Sequence, residues 1–169
     1  TFEAYVARPR GGSGPALVLI QEIFGVNHLM RYQADCFAAK GFTVIVPDLF
    51  WRQEPGIMLT DQSEADWQRA FELFQGFDVD KGVDDIAQTV AYARGESSTG
   101  KVGAIGWCLG GRLAFLTAAR TDIDGSSTTR PQSKPRESCT TFTWWRTFHR
   151  QRWRRGSGHT SPRAKRAGW

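Results

Sequence analysis

Residues 101–119 read K-V-G-A-I-G-W-C-L-G-G-R-L-A-F-L-T-A-A, and this stretch decides the fold. Its first part, Lys101–Trp107, is a short apolar run typical of a strand buried on both faces. Its last part, Leu109–Ala119, has the apolar spacing of a helix. Between them lies Cys108, flanked by glycine-containing dipeptides. The pattern therefore predicts a strand that passes directly into a helix through one tight turn.

The same alternation precedes this stretch. We predict an edge strand at Phe2–Ala7, buried strands at Ala16–Ile20 and Phe42–Val46, and helices at Leu29–Lys40, Ser63–Gln75 and Asp80–Arg94. The apolar face of the second helix is expected to hold Trp67, Ala70, Phe71 and Phe74. Strands that alternate with helices favour an α/β fold, a three-layer sandwich in which helices cover both faces of a mostly parallel sheet.

The turn itself carries a chemical motif. Gly106-Trp107-Cys108-Leu109-Gly110-Gly111 has the spacing of a nucleophile elbow, G-x-S-x-G, with cysteine in place of serine. The glycines leave room where strand and helix approach, and the positive end of the helix favours a thiolate. The backbone N–H of Leu109 would point to where an oxyanion forms. The alternative interpretation is a glycine-rich turn with an inert buried cysteine.

A second segment, Q-E-I-F-G-V-N at residues 21–27, follows the carboxyl end of the first buried strand. With P-D-L at 47–49, F-D at 77–78 and G-W-C-L-G-G, in this order and spacing, it resembles the dienelactone hydrolase family (carboxymethylenebutenolidases), which has the α/β-hydrolase fold. The resemblance covers about residues 1–124. It implies an enzyme that hydrolyses a small lactone or a related carboxylic ester, without a metal or a cofactor.

The resemblance also implies roles for particular residues. Cys108 would attack the lactone carbonyl, and Glu22 would hold or activate the cysteine before substrate binds. The backbone N–H groups of Ile23 and Leu109 would form the oxyanion hole. For Glu22 the alternative is a solvated acid on a loop.

Two positions depart from the family pattern. Trp107 precedes the cysteine, where the family often has tyrosine. Trp67 occupies the place at which some members use an arginine to bind the substrate carboxylate. Arg69 is near, but two positions along a helix is a different face. The identity of the substrate is therefore left open.

The family completes its catalytic triad with an aspartate and a histidine on later strands. We expect no such strand after Asp124, and no aspartate follows it. His149 and His159 lie among arginines, and neither is favoured as the base. His28 is expected to be a partly exposed loop residue.

The charge changes sign along the chain. Thr1–Asp124 contains 11 basic and 16 acidic residues, whereas residues 125–169 contain 11 basic residues and one acid, Glu137. The second segment also loses the apolar periodicity, so we expect little packed structure there. A shifted reading frame is the simplest origin for such text. We accordingly divide the chain into a partial hydrolase domain, 1–124, and a basic tail, 125–169, that is disordered or frame-shifted.

Three functions are therefore compatible with the sequence. The first is a cysteine hydrolase, the second a truncated or frame-shifted and inactive hydrolase, and the third a nucleic-acid binder acting through the basic, tryptophan-containing tail. The third is ranked last, because a shifted frame also yields arginine-rich text. The sequence contains no run of about 18 apolar residues, so we predict no transmembrane helix. No basic and apolar leader opens the sequence, so we expect a cytoplasmic protein.

Overall fold

A computed structural model describes residues 1–129 of the chain. Five strands and four helices are found in this part, in the order β1 (Ala4–Ala7), β2 (Ala16–Ile20), α1 (His28–Ala38), β3 (Thr43–Pro47), α2 (Glu64–Gln75), α3 (Val79–Glu96), β4 (Val102–Trp107), α4 (Leu109–Arg120) and β5 (Gly125–Thr129). The strands and helices predicted for residues 1–124 are all present, with ends that differ by a few residues.

The strands form one sheet in the order β1-β3-β2-β4-β5. Strand β1 is antiparallel to β3, and all other pairs are parallel. Strands β2 and β4 are therefore neighbours although α1, β3, α2 and α3 separate them in the chain. Because they are parallel, their carboxyl ends meet at one edge of the sheet, which is where α/β proteins place their sites.

Helices cover both faces of this sheet. Alternate residues of β2 face opposite ways: Val18 and Ile20 pack into the cluster that contains α3 and α4, whereas Leu17 and Leu19 pack against α1. All five residues of β2 are buried. A strand covered on both sides explains the continuous apolar run in the sequence, and the predicted three-layer α/β architecture is confirmed.

Two expectations about the fold were wrong. Regular structure continues past Asp124, because Gly125–Thr129 forms β5 parallel to β4. This strand reads G-S-S-T-T and has no large apolar side chain, so hydrophobic periodicity could not reveal it. In α2 the buried residues are Ala70 and Leu73, whereas Phe71 and Phe74 are exposed. The predicted apolar face was thus displaced around the helix.

Asp124 fastens the start of β5 to β4. Its carboxylate accepts a hydrogen bond from the Val102 N–H at 3.0 Å, and its own N–H donates to the Val102 carbonyl at 3.2 Å. The same carboxylate pairs with Arg94 of α3 at 2.9 Å. One side chain therefore ties two strands and a helix together. Residues 130–169, including His149, His159 and most of the predicted tail, lie outside the described residues.

We expect Asp124→Ala to lower the free energy of unfolding by about 1–2 kcal/mol, because it leaves the Val102 N–H without its acceptor. Asp122→Ala is the matched control. Its carboxylate is 93% exposed and lies 3.7 Å from Arg94, so its loss should cost at most about 0.5 kcal/mol. Urea denaturation of both variants makes the comparison. Equal effects would show that Asp124 does not anchor β5.

Candidate active site

Cys108 stands in a strained backbone conformation between β4 and α4. Its φ of 52° and ψ of −121° make it the only non-glycine residue with positive φ in the part of the chain that the structure describes. Such a conformation costs roughly 1–3 kcal/mol and persists only where the surroundings impose it. The side chain is exposed, whereas the alternative interpretation expected a buried cysteine.

Two glycines make this turn possible. A Cβ at Gly106 would lie 2.4 Å from the carbonyl carbon and oxygen of Gly110. A Cβ at Gly110 would lie 2.4 Å from the carbonyl oxygen of Ile20 and 2.7 Å from that of Gln21. Strand β4, helix α4 and the carboxyl end of β2 thus touch through backbone alone. The structure confirms that these glycines leave the room that the motif requires.

The register of the sheet brings the Q-E-I-F segment to the elbow. Ile20 of β2 pairs with Gly106 of β4. Glu22 and Cys108 each lie two residues beyond this pair, just past the ends of β2 and β4, which are neighbouring strands about 4.8 Å apart. The two predicted site segments are therefore adjacent at the carboxyl edge of the sheet.

Several contacts fix the loop that carries Glu22. Glu22 and Gly25 form a bridge across a tight turn, and Gly25 bridges to Met58 on the next segment. Gly25 has φ of 75°, and a Cβ there would lie 2.2 Å from the Ile57 carbonyl oxygen. The Asn27 side chain then caps α1 by accepting the Met30 N–H. Ile23, in the middle of this turn, is consequently held in place.

Glu22 is only partly exposed. Burial raises the pKa of its carboxyl, and the negative charge of Asp61 raises it further. An acid held this way is a better proton acceptor than a solvated one. The solvated-loop interpretation of Glu22 does not describe this environment.

Two polar residues for which the sequence predicted no role accept backbone N–H groups of the segments that form the site. Gln21 is fully buried, and its Oε1 accepts the Leu49 N–H at 3.0 Å, which joins the Q-E-I-F and P-D-L segments. Asp48 accepts the N–H groups of Phe50 at 3.0 Å and Gly56 at 2.7 Å. Burial raises the pKa of Asp48, although these two donors lower it. Both residues organise backbone.

Trp67 packs onto the Glu22 loop from the first turns of α2. Its ring meets Phe24 edge to face, with centroids 4.9 Å apart, and its Nε1 donates to the Asp61 carbonyl at 3.1 Å. Arg69 lies on another side of the helix and pairs with Glu54 and Glu72. The structure therefore agrees with the expectation that Arg69 does not share a face with Trp67.

The described part of the chain supplies one histidine. His28 is exposed and is the first residue of α1, so the expected loop position was slightly wrong. His149 and His159 lie outside the described residues. Across residues 1–129, the His, Cys, Asp and Glu side chains form no group of three that could hold a metal ion. None of the four described helices is long and apolar enough to cross a membrane.

A mostly parallel sheet with helices on both faces, and a residue at positive φ in the tight turn between a strand and a helix, are typical of the α/β-hydrolase fold. Comparison with known proteins narrows this class. The model of the dienelactone hydrolase family matches residues 2–141. The chain belongs to the dienelactone hydrolase family.

Individual relatives agree with this assignment. A protein of Azospirillum brasilense, assigned as a carboxymethylenebutenolidase, is 49% identical over 129 residues, which are 75% of this chain and 55% of the relative. The carboxymethylenebutenolidase of Pseudomonas putida is 44% identical over 125 residues, or 73% of this chain and 53% of the relative. The chain spans about half the length of these curated relatives.

Two solved structures resemble this chain in fold, and one of them is assigned to the same family. A Klebsiella pneumoniae protein assigned as a dienelactone hydrolase superposes with a TM-score of 0.63 at 25% identity, over 78% of this chain and 56% of that one. A lidless α/β serine hydrolase of Xanthomonas campestris has a TM-score of 0.50 at 13% identity, over 80% of this chain and 59% of that one, and shares the fold alone.

We expect Gly110→Ala to destabilise the protein by at least about 2 kcal/mol, because the new methyl group would meet two backbone carbonyls that cannot move independently. Gly95→Ala is the matched control, since it also lies in a helix and has nothing within 4 Å of the added Cβ. That change should stabilise by about 0.4–1 kcal/mol. Chemical denaturation checks both signs, and a neutral Gly110→Ala would refute the backbone contact.

The raised pKa of Glu22 predicts a pH-dependent stability. As pH rises through the ordinary glutamate range, the unfolded chain ionises before the folded one, so the cost of Glu22 to stability grows until its folded pKa is passed and stays constant above it. We expect Glu22→Gln to stabilise the protein at pH 7, with a gain that fades below about pH 4.

Glu64→Gln provides the control, because Glu64 is an exposed acid in the first turn of α2. Its loss removes a favourable interaction with the helix dipole and should slightly destabilise. Urea denaturation between pH 4 and pH 8 gives both differences. A Glu22→Gln variant that is less stable than the parent at pH 7 would contradict the buried position of this carboxyl.

Proposed function

We propose that the Cys108 site hydrolyses cyclic esters or related carboxylic esters by covalent catalysis. The observation that carries this proposal is the conformation of Cys108, an exposed thiol held at φ of 52° between β4 and α4, beside the loop of Glu22. Relatives called carboxymethylenebutenolidase, at 44% identity, support the choice of substrate class.

In the first step the sulfur of Cys108 attacks the carbonyl carbon of the ester. The carbonyl oxygen becomes an oxyanion, for which the N–H groups of Ile23 and Leu109 are the proposed donors. Leu109 is the first residue of α4, where N–H groups have no partner within the helix. Donors fixed in advance are worth several kcal/mol in such reactions. The ring C–O bond then breaks, and a thioester remains on Cys108.

Glu22 is the proposed partner of the thiol before attack. Its position two residues beyond the β2–β4 pair Ile20–Gly106 matches that of Cys108. Its raised pKa makes Glu22 suited to take the thiol proton. This transfer would leave a neutral carboxylic acid at Glu22 beside the thiolate of Cys108. Water must later cleave the thioester, which releases the carboxylic acid and restores the thiol.

The second candidate is that this chain is an inactive hydrolase, because its base for thioester hydrolysis is not identified. The histidine in the described part, His28, is exposed at the start of α1. Loss of a triad member commonly costs several powers of ten in rate, while the oxyanion hole retains part of the effect. We therefore expect acyl transfer to Cys108 to be much faster than turnover.

The test is pre-steady-state hydrolysis of a p-nitrophenyl ester. Attack by Cys108 forms a thioester and expels p-nitrophenolate, so we expect a burst of about one equivalent, followed by slow turnover. Cys108→Ala should abolish the burst, and Glu22→Gln should slow it by about 10²–10⁴-fold. Cys36→Ala, which removes the partly buried thiol of α1, should leave it unchanged.

Each other result has a clear meaning. A burst that survives Cys108→Ala, or a folded protein without a burst, would refute the nucleophile. Steady turnover that is lost on His149→Ala or His159→Ala would show that the chain contains its own base, and the second candidate would fail.

A further inference from the structure

We propose that an aromatic wall, formed by Phe24, Trp67 and Phe71, makes this site select esters with an uncharged, apolar acyl group over those that carry a carboxylate. The inference deepens the proposed function and rests on Cys108 as the reacting thiol. It is carried by the packing of this wall on the Glu22 loop and by the pairing of the arginines nearest to it in sequence with carboxylates.

The aromatic wall begins on the Glu22 loop and extends toward solvent along α2. Phe24 lies two residues after Glu22 and is a buried residue at the edge of the core, 9% exposed. The Trp67 ring packs on Phe24, and the Phe71 ring lies against Trp67 with centroids 5.6 Å apart. Phe71 is 48% exposed, so the aromatic surface runs from the interior to solvent. A surface of this kind favours apolar and aromatic groups through stacking and burial.

The segment between the loop and α2 attaches the wall firmly. The Leu59 N–H donates to the Phe24 carbonyl at 3.0 Å, and the Asn27 side chain donates to the Leu59 carbonyl at 2.9 Å. Trp67 in turn donates to the Asp61 carbonyl. Wall and Glu22 loop are therefore joined by hydrogen bonds as well as by ring contacts.

The ionised groups at the wall are acidic. The Asp61 carboxylate lies close enough to Glu22 to raise its pKa. A substrate carboxylate would add a third negative charge to Asp61 and to the charge shared by Glu22 and Cys108, which lies on the carboxylate before proton transfer and on the sulfur after it. Like charges in a partly desolvated site repel more strongly than in water. The acidic pair therefore disfavours an anionic acyl group.

The arginines nearest in sequence to the wall are already engaged. Arg69 of α2 donates to Glu54 at 2.6 Å and to Glu72 at 2.7 Å. Arg52 forms a two-point pair with the buried Asp85. Guanidinium groups paired with carboxylates are poorly available to bind a third anion.

Two further arginines, on α1 and α4, are not paired with the carboxylates named above. Arg31 of α1 donates to the Val26 carbonyl at 3.1 Å, and its guanidinium lies 5.4 Å from the centre of the Tyr5 ring. Arg112 lies one turn into α4 from Cys108 and is exposed. Solvent and salt screen an exposed charge. Arg112 is nevertheless the natural competitor for carboxylate recognition, so the test includes its removal.

The experiment compares how fast Cys108 of the full chain reacts with iodoacetamide, iodoacetate and N-benzyl iodoacetamide. In each case sulfur displaces iodide, and the three probes differ in charge and apolar size. Trypsin releases residues 102–112 as one peptide, so mass spectrometry assigns each adduct to Cys108. Free glutathione gives the intrinsic ratio of the three rates.

After division by the glutathione ratios, we expect Cys108 to react with iodoacetamide about threefold or more faster than with iodoacetate. We expect it to react with N-benzyl iodoacetamide about two- to tenfold faster than with iodoacetamide. Trp67→Arg should remove both preferences, whereas Trp67→Phe should keep them. Phe71→Arg is a second charge-introducing variant at a more exposed position, in case Trp67→Arg fails to fold. Arg112→Gln should leave the ratios unchanged.

The opposite pattern overturns the inference. A preference for iodoacetate that disappears in Arg112→Gln would identify a carboxylate site on α4. Glutathione-like ratios in the folded chain would show that the aromatic wall does not border the thiol. Failure of the proposed function is read separately: the same folded chain would give no p-nitrophenolate burst with the p-nitrophenyl ester, whichever alkylating probe Cys108 prefers.

Discussion

The contact between Gly110 and the carbonyl oxygens of Ile20 and Gln21 is the constraint on which the rest of the site depends. It closes the end of β2 against the start of α4, with no side chain between them. Cys108 must then turn through a positive φ to join β4 to that helix. The same contact fixes where the chain leaves the end of β2, and therefore where Glu22 and Ile23 lie.

The site combines this rigid backbone with an acidic side chain, Glu22, whose burial lowers the stability of the fold. Burial raises the pKa of Glu22, which means that its ionised form destabilises the fold. Strain at Cys108 adds a second local cost. Both are features of functional sites, where a residue is held in an environment that stability alone would not select. The apolar layers on either side of β2 supply the stability that carries these costs.

Much of this arrangement could be read from the sequence because its causes are local. Buried parallel strands such as β2 give unbroken apolar runs, and the elbow requires glycine at fixed spacing from Cys108. Strand β5 could not be found in this way, because G-S-S-T-T lacks the pattern. It is held by pairing with β4 and by Asp124, and backbone pairing leaves little trace in composition.

Long-range polar contacts were equally hidden. Nothing local predicts that Gln21 accepts the Leu49 N–H, or that Arg52 pairs with the buried Asp85. The buried side of α2 was misplaced for a related reason: Phe71 and Phe74 are apolar but exposed, and hydrophobicity alone does not distinguish a core face from an aromatic surface beside a site.

The most direct test is a crystal structure of the chain treated with an aryl trifluoromethyl ketone. Its carbonyl carbon should add the sulfur of Cys108 to form a hemithioketal that resembles the proposed intermediate. We expect the adduct oxygen to lie about 2.7–3.1 Å from the backbone nitrogens of both Ile23 and Leu109. An adduct oxygen that faces solvent, or an unmodified Cys108 in the folded protein, would contradict it.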